Sequence, residues 1–464
     1  MLKARKILAL FLYQLVFFSP LAAATGKSLS IPYEKYTLEN GLEVILHQDN
    51  KVPIVAIDVW YHVGAGDETP GKSGFAHLFE HMLFQGSLHV GEDKHFATLQ
   101  KLGASQVNGS TNFDRTNYYE VIPSHHLETG LWLESDRMGY FLPMLTQKSL
   151  DNQIEVVRNE KRQRTDNVPY GLSNEALFQM LYPKGHPYRG IVIGRHEDLT
   201  ASSLEDVKDF YKKWYTPKNA TLVIAGDIDI PETKKLVSKW FATLEGGPKP
   251  IHQKVKTPKV QRDRKVIVDK FAKLRKLSYA WHTPGKFQKG SKELRILAKA
   301  LTSDTGRLYK SLVHKRQLAQ SVSAYQMSNK LSGVFFLSVM LKPDADQALL
   351  ESLIEKELSK VQKKPLKPKE IKRAITAIES HSIFRLEGLL QRAETLHYYN
   401  HYLKDPGYLA KDLKAYQQIS SQNIQNAAAT YLKRQNRIEV LTVPHPRPPL
   451  NIVKKKPSQK GDKS

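Results

Sequence analysis

The chain has 464 residues, 41% of them hydrophobic, which suits two or three domains with buried cores. It has no cysteine, so disulfides, a thiol nucleophile and thiolate metal sites are excluded, and histidine and carboxylate remain as ligands. The formal charge of +24 reads as a solvated basic surface able to attract anionic lipid, peptide or protein, and no recognition motif for nucleic acid accompanies it.

Residues 1–24 have the layout of a secretory signal peptide. Lys3, Arg5 and Lys6 precede an apolar run from Ile7 to Phe18, Ser19-Pro20 breaks it, and Ala22 to Ala24 offer small residues for cleavage. Export is therefore expected, to the periplasm if the host has two membranes. Strands are expected at Val44–His47 and Val55–Val63, rich in β-branched and aromatic residues. Helices follow at about 74–85 and 95–102. The stretch QVNGSTNFDRTNYYEVIP reads as turn-rich, then strand-like over 117–122. Helical patterns occupy 127–141 and 150–163. A helix, a turn at Pro217 and a buried strand over 221–225 come next. The same helix–turn–strand order returns near 420–444, with Asn219 and Asn436 at similar places. This weak repeat implies an α+β fold of two homologous domains, over 29–245 and 263–445. A Gly-, Pro- and Lys-containing linker spans 246–262, and a basic tail, expected to be disordered, spans 446–464.

The chemistry concentrates at HLFEH, residues 77–81. On a helix, His77 and His81 share one face about 6 Å apart along the axis and can point at one ion, while Glu80 lies beside them within reach of a water. HxxEH is the inverzincin pattern. A polar helix face is the plainer explanation. A catalytic zinc also needs a third protein ligand, and the helix LDNQIEVVRNEKRQ offers Glu155 and Glu160. Asn108 could equally be a turn residue before Gly109. His186, in GHPY, has no partner at ligand spacing and reads as structural.

In order and spacing, GFAHLFEHMLFQGS, NGSTNFDRTNYYE, VVRNEKRQ with PYG, and HPY with IG resemble the pitrilysin-like zinc peptidases. That family includes pitrilysin, insulysin and mitochondrial processing peptidase. The resemblance covers the chain beyond the leader and is clearer in its first half. It implies two homologous α+β domains, each a mostly antiparallel sheet covered by helices, which pair with another chain as a clam-shell chamber for unfolded peptides. It implies one Zn2+ held by His77, His81 and Glu160, with Glu80 as general base. It places Asn108 and Gly109 on a sheet edge beside the bound peptide. Gln153 stands where many relatives have a further glutamate, and Glu155 is the residue that could substitute for it. A non-catalytic chamber or scaffold subunit of the same family is the rival expectation, which the intact HxxEH and Glu160 oppose.

One departure bears on partners. Active relatives carry, in the second half, an arginine and seven residues later a tyrosine that reach the substrate carbonyl. The matching segment, LYKSLVHKRQLAQSVSAY, has Val313 and Gln320 at those positions, with Arg307, Arg316 and Tyr325 nearby at other offsets. The expectation is a heterodimer with a homologous chain that supplies the Arg/Tyr pair, the plainer alternative being a homodimer or monomer that uses Arg316 and Tyr325 instead.

Overall fold

The computed structural model describes residues 29–446. Residues 1–24, read as a leader, and 447–464, most of the basic tail, lie outside them. The first sheet has strands β1 (Glu34–Thr37), β2 (Glu43–Gln48), β3 (Ile54–Tyr61), β4 (Gln106–Thr111), β5 (Thr116–Pro123) and β6 (Ala220–Gly226), in the order β1-β2-β6-β3-β5-β4. The second has β7 (Asp263–Asp269), β8 (Lys276–Thr283), β9 (Ala319–Ser328), β10 (Gly333–Leu341) and β11 (Ile438–Pro444), in the order β7-β11-β8-β10-β9. Without β1 the two orders are identical. Each sheet is antiparallel except for one parallel pair at the same place, β2 with β6 and β7 with β11. The expected α+β class and internal repeat are therefore present. Asn219 and Asn436 each end a short 3₁₀ turn that feeds the strands β6 and β11.

The strands alternate as half-covered strands must. Val55, Ile57, Val59 and Tyr61 of β3 join a core with Phe75, Leu78, Phe79 and Met82 of helix α1 (Phe75–Met82). On the opposite face of β3, Trp60 stacks on His397 at 4.9 Å, and the Asp58 carbonyl accepts from His397 Nε2 at 2.8 Å. His397 belongs to helix Leu389–Leu403, which comes from the second half of the chain. The exchange is reciprocal, because Ser173 of helix Gly171–Leu181 hydrogen-bonds to Thr442 of β11. Each sheet is thus covered on one face by a helix from the other half. Buried Asp114 ties the halves further, accepting from Tyr188 Oη at 2.6 Å, Tyr402 Oη at 2.8 Å and Lys330 N at 2.9 Å. Residues 245–262 form neither helix nor strand. His252 holds this connection to the first half through Asp67, at 2.7 Å.

One local reading is corrected. Gln106–Thr111 is not turn but edge strand, paired with β5 in the register Asn108–Tyr119 and Gly109–Tyr118. The turn residues that follow, from Asn112, supply the hairpin: Asn112 Oδ1 accepts from Asp114 N and Arg115 N.

Candidate metal centre

Helix α1 starts at Gly74, whose φ of 93° is left-handed; a Cβ there would lie 2.8 Å from the Ile193 carbonyl. Glu68 caps the start, accepting from Gly74 N at 3.0 Å and Ala76 N at 2.9 Å, and burial raises its carboxyl to about 8 against these two bonds. The apolar side chains of α1 enter the core, and His77 and His81 emerge at its rim. Against it lies the helix Gln147–Lys161, started by Thr146, which accepts from Ser149 N at 3.1 Å. This helix passes straight into a π-turn, Arg162–Asp166, which begins two residues beyond Glu160. Such turns are frequent at functional sites. Here the turn brings Arg164 back to Glu160 Oε1, at 2.7 Å.

The structure brings His77, His81 and Glu160 together, with one donor atom from each lying within 4.8 Å of the others. Glu160 Oε2 is 3.2 Å from His81 Nε2 and 3.7 Å from His77 Nε2. Donors about 2.0–2.1 Å from a tetrahedral ion lie roughly 3.3–3.4 Å apart, so the three residues fit a zinc ion in spacing as well as in chemistry. Burial, and then the neighbouring His81, hold His77 down at about 4, so it offers a neutral nitrogen. Glu160 is lowered chiefly by its hydrogen bond with His81, which keeps it anionic. A cavity of about 310 Å³ opens beside them, with Arg164, Thr165, Ile191 and Ile193 in its wall.

Glu80 is held separately. Its Oε2 accepts from Thr111 Oγ1 at 2.6 Å, and burial raises its carboxyl above the usual range. Its Cγ would lie 2.8 Å from a Cβ placed on Gly109, so glycine is what lets α1 approach the edge strand. Thr111 was missed in the sequence; its only signal is strand alternation, two residues from Gly109 and therefore on the same face. The register sends Asn108 to the opposite face, exposed, with Oδ1 accepting from Gly109 N at 2.9 Å.

Gln153 lies seven residues before Glu160, on the same helix face, and is buried. Glu155 is five residues before it, about 140° around the helix, and its exposed carboxylate pairs with Arg158 instead of joining the cluster. His186 is buried and structural in its contacts, accepting from Tyr188 N at 3.0 Å and stacking on Tyr182 at 4.4 Å. In the second half, Val313 packs against the core and Gln320 is exposed on edge strand β9. Arg307 is committed to a two-point pair with Glu370, both contacts at 2.7 Å. Arg316 is exposed, and Tyr325 stacks on Phe336 at 4.9 Å.

Comparison with known proteins agrees with this architecture. Residues 43–184 match the family model "Insulinase (Peptidase family M16)", and residues 202–378 match "Peptidase M16 inactive domain". The chain is 30% identical over 377 residues to the zinc protease PqqE of Helicobacter pylori, covering 78% of this chain and 83% of that one. The crystal structure of a protease from Helicobacter pylori superposes with a TM-score of 0.83 at 26% identity, over 89% of this chain and 100% of that one. The periplasmic protease PqqL from Escherichia coli shares the fold with a TM-score of 0.73 at 17% identity, over 89% of this chain but 48% of that longer one. Identity sustained over most of both sequences, on a fold shared along the whole length of a solved protease, establishes that the chain belongs to peptidase family M16, the insulinase family.

Proposed function

We propose that the chain is an exported zinc-dependent endopeptidase subunit that hydrolyses peptides or unfolded polypeptides. The observation that carries this is the convergence of His77, His81 and Glu160 on one point, with Glu80 on the same helix fixed separately by Thr111 and Gly109. A zinc ion bound there would supply a Lewis acid that activates water and polarises the scissile carbonyl. The other parts come from the chain itself. The outer edge of β4 has no strand partner among the described residues, so an extended peptide can add to it by backbone hydrogen bonds with little sequence preference. Glu80, not bonded to either histidine, is free to take the proton of the attacking water and deliver it to the leaving amine. Buried Gln153 can steady the α1 face of its helix, whereas Glu155 has no part.

Val313 has no donor and Gln320 has no charge, so neither does well the work of an Arg/Tyr pair on the substrate carbonyl. We therefore assign that role to a homologous partner chain carrying the Arg/Tyr pair. The solved PqqL chain is about twice the length matched here, consistent with two such units working together. Export through residues 1–24 fits the described residues, in which no helix is long and apolar enough to cross a membrane.

The test is Glu80→Gln in the chain with its partner. Zinc should stay bound, and hydrolysis of an unstructured peptide should fall about 10²–10⁴-fold, the usual share of general acid–base catalysis. Unchanged turnover in the zinc-loaded variant would refute the assignment.

A further inference from the structure

The face of the first sheet opposite Glu80 holds a feature that the peptidase chemistry does not use. A cavity of about 320 Å³ lies between β3, the β4–β5 hairpin and helix Leu389–Leu403, with Trp60, Arg115, Lys286, Arg295, Tyr398 and Tyr402 in its wall. Its carboxylates are already engaged. Glu394 pairs with Arg385 at 3.0 Å, and Asp412 with Lys292 at 2.6 Å. Nearby Asp58 accepts from Trp60 Nε1 and Asn117 Nδ2, and Asp114 accepts from two tyrosines and a backbone amide.

Arg115, Lys286 and Arg295 have no carboxylate within 4.0 Å among the described residues. Arg115 lies 4.9 Å from the Trp60 ring centroid, and its Nε is buried with no partner. Lys286 Nζ is 4.0 Å from the Tyr402 ring centroid and 4.7 Å from that of Tyr398. Arg295 meets the Tyr416 hydroxyl at 3.2 Å. Burial holds Lys286 down at about 8, and the charges of Arg115 and Arg295 add to this against Asp114. Withdrawing several cations from water with no carboxylate in direct contact is costly, and an anionic ligand placed against them would offset it.

The register says where that ligand comes from. Gly109 and Thr111 face Glu80, while Asn108 and Ser110 face the other way. Arg115 Nη1 donates to the Ser110 carbonyl at 2.6 Å and to Ser110 Oγ at 2.7 Å, so one wall residue of the cavity is tied directly to the edge strand. A peptide added to β4 turns alternate residues to the two faces of the sheet. Resting on the peptidase reading, we propose that this cavity binds a carboxylate of the bound peptide, from an acidic side chain or the free C-terminus, and so gives the subunit a preference for acidic peptides.

Peptides of one sequence, differing as Glu against Gln and as C-terminal acid against amide, separate the two sources. Binding is measured by fluorescence anisotropy on the Glu80→Gln chain, and KM and kcat on the active complex. The acidic form should bind at least about tenfold tighter, the contribution of one charge-assisted hydrogen bond, with the effect in KM rather than kcat. Lys286→Met and Arg295→Met should each erase most of the preference, whereas Lys363→Met, the same charge loss on an exposed lysine, should not. Equal binding of all peptide forms, or a preference that survives both cavity variants or is equally lost in Lys363→Met, would overturn the assignment. Retained preference in anisotropy with no hydrolysis by the complex would sustain the pocket and sink the peptidase reading.

Discussion

Replacing Gly109 with alanine should damage catalysis without touching the metal. The added Cβ would lie 2.8 Å from Glu80 Cγ and 3.2 Å from both the Asn117 carbonyl oxygen and Phe84 Cε2. Ordinary carbon–carbon contacts lie at about 3.5–4.0 Å, so the Glu80 stem has to retreat by roughly 0.7–1.2 Å. It cannot do so and keep its 2.6 Å hydrogen bond with Thr111 undisturbed. A displacement of about 1 Å at a catalytic group costs on the order of 10²-fold in rate, about 2.7 kcal/mol of barrier. Overpacking should also lower stability by about 1–3 kcal/mol. His77, His81 and Glu160 are not among the atoms nearest the new methyl, so zinc content should be unchanged. The assay is kcat on a fluorogenic peptide in the presence of the partner, with metal analysis and urea unfolding on the same preparation. Full kcat in a folded, zinc-loaded Gly109→Ala protein would refute the claim that the edge strand positions Glu80.

Thr111→Val should lower kcat by roughly tenfold, the contribution of one hydrogen bond to a charged group, with zinc retained; an unchanged kcat would show that Thr111 does not orient Glu80. Glu120 is buried with neither carboxylate oxygen bonded, and burial raises it from 4.5 to about 8 against the pull of Arg137. Between those pH values the folded chain holds a proton that the unfolded chain releases, so this contribution to stability is full below about pH 4.5 and is lost as pH rises through about 8. Glu120→Gln should flatten that decline in urea midpoints measured at pH 5, 7 and 9, and an identical slope in the variant would contradict it. The purified lone chain should bind zinc yet cleave peptides poorly, with activity restored by a homologous chain carrying the Arg/Tyr pair; full activity alone would remove the need for the partner. Mass spectrometry of protein from the native host should find the N-terminus near Thr25, and cytosolic protein retaining residues 1–24 would contradict export.

The histidine pair was legible because four residues on a helix return to the same face, which needs no tertiary information. The residues alone leave Glu155 and Glu160 open, and the family resemblance selects Glu160; the structure supplies the physical reason. Leu150, Ile154 and Val157 mark the buried stripe, and Glu160 continues it three residues beyond Val157 while Glu155 falls on the exposed side. Read locally, β4 looks like turn because Asn-Gly-Ser-Thr is turn chemistry in isolation, and only the family resemblance puts Asn108 and Gly109 on a sheet edge. Pairing with β5 overrides that propensity, and Gly109 is required by the approach of α1, a contact that local sequence does not encode. The helix exchange between halves and the cationic cavity were invisible for a related reason. They join residues as far apart as Trp60 and His397, or Arg115 and Arg295, and no periodicity reports on such distances.

The central claim is the metal site, and zinc analysis of the purified chain joined to diffraction at the zinc edge tests it most directly. The account predicts one zinc per chain, about 2.0–2.2 Å from His77 Nε2, His81 Nε2 and a Glu160 oxygen. It predicts that the ion is lost in folded Glu160→Gln and retained in Glu155→Gln. Full zinc in Glu160→Gln with loss in Glu155→Gln, or a zinc ion bound elsewhere on the chain, would contradict it.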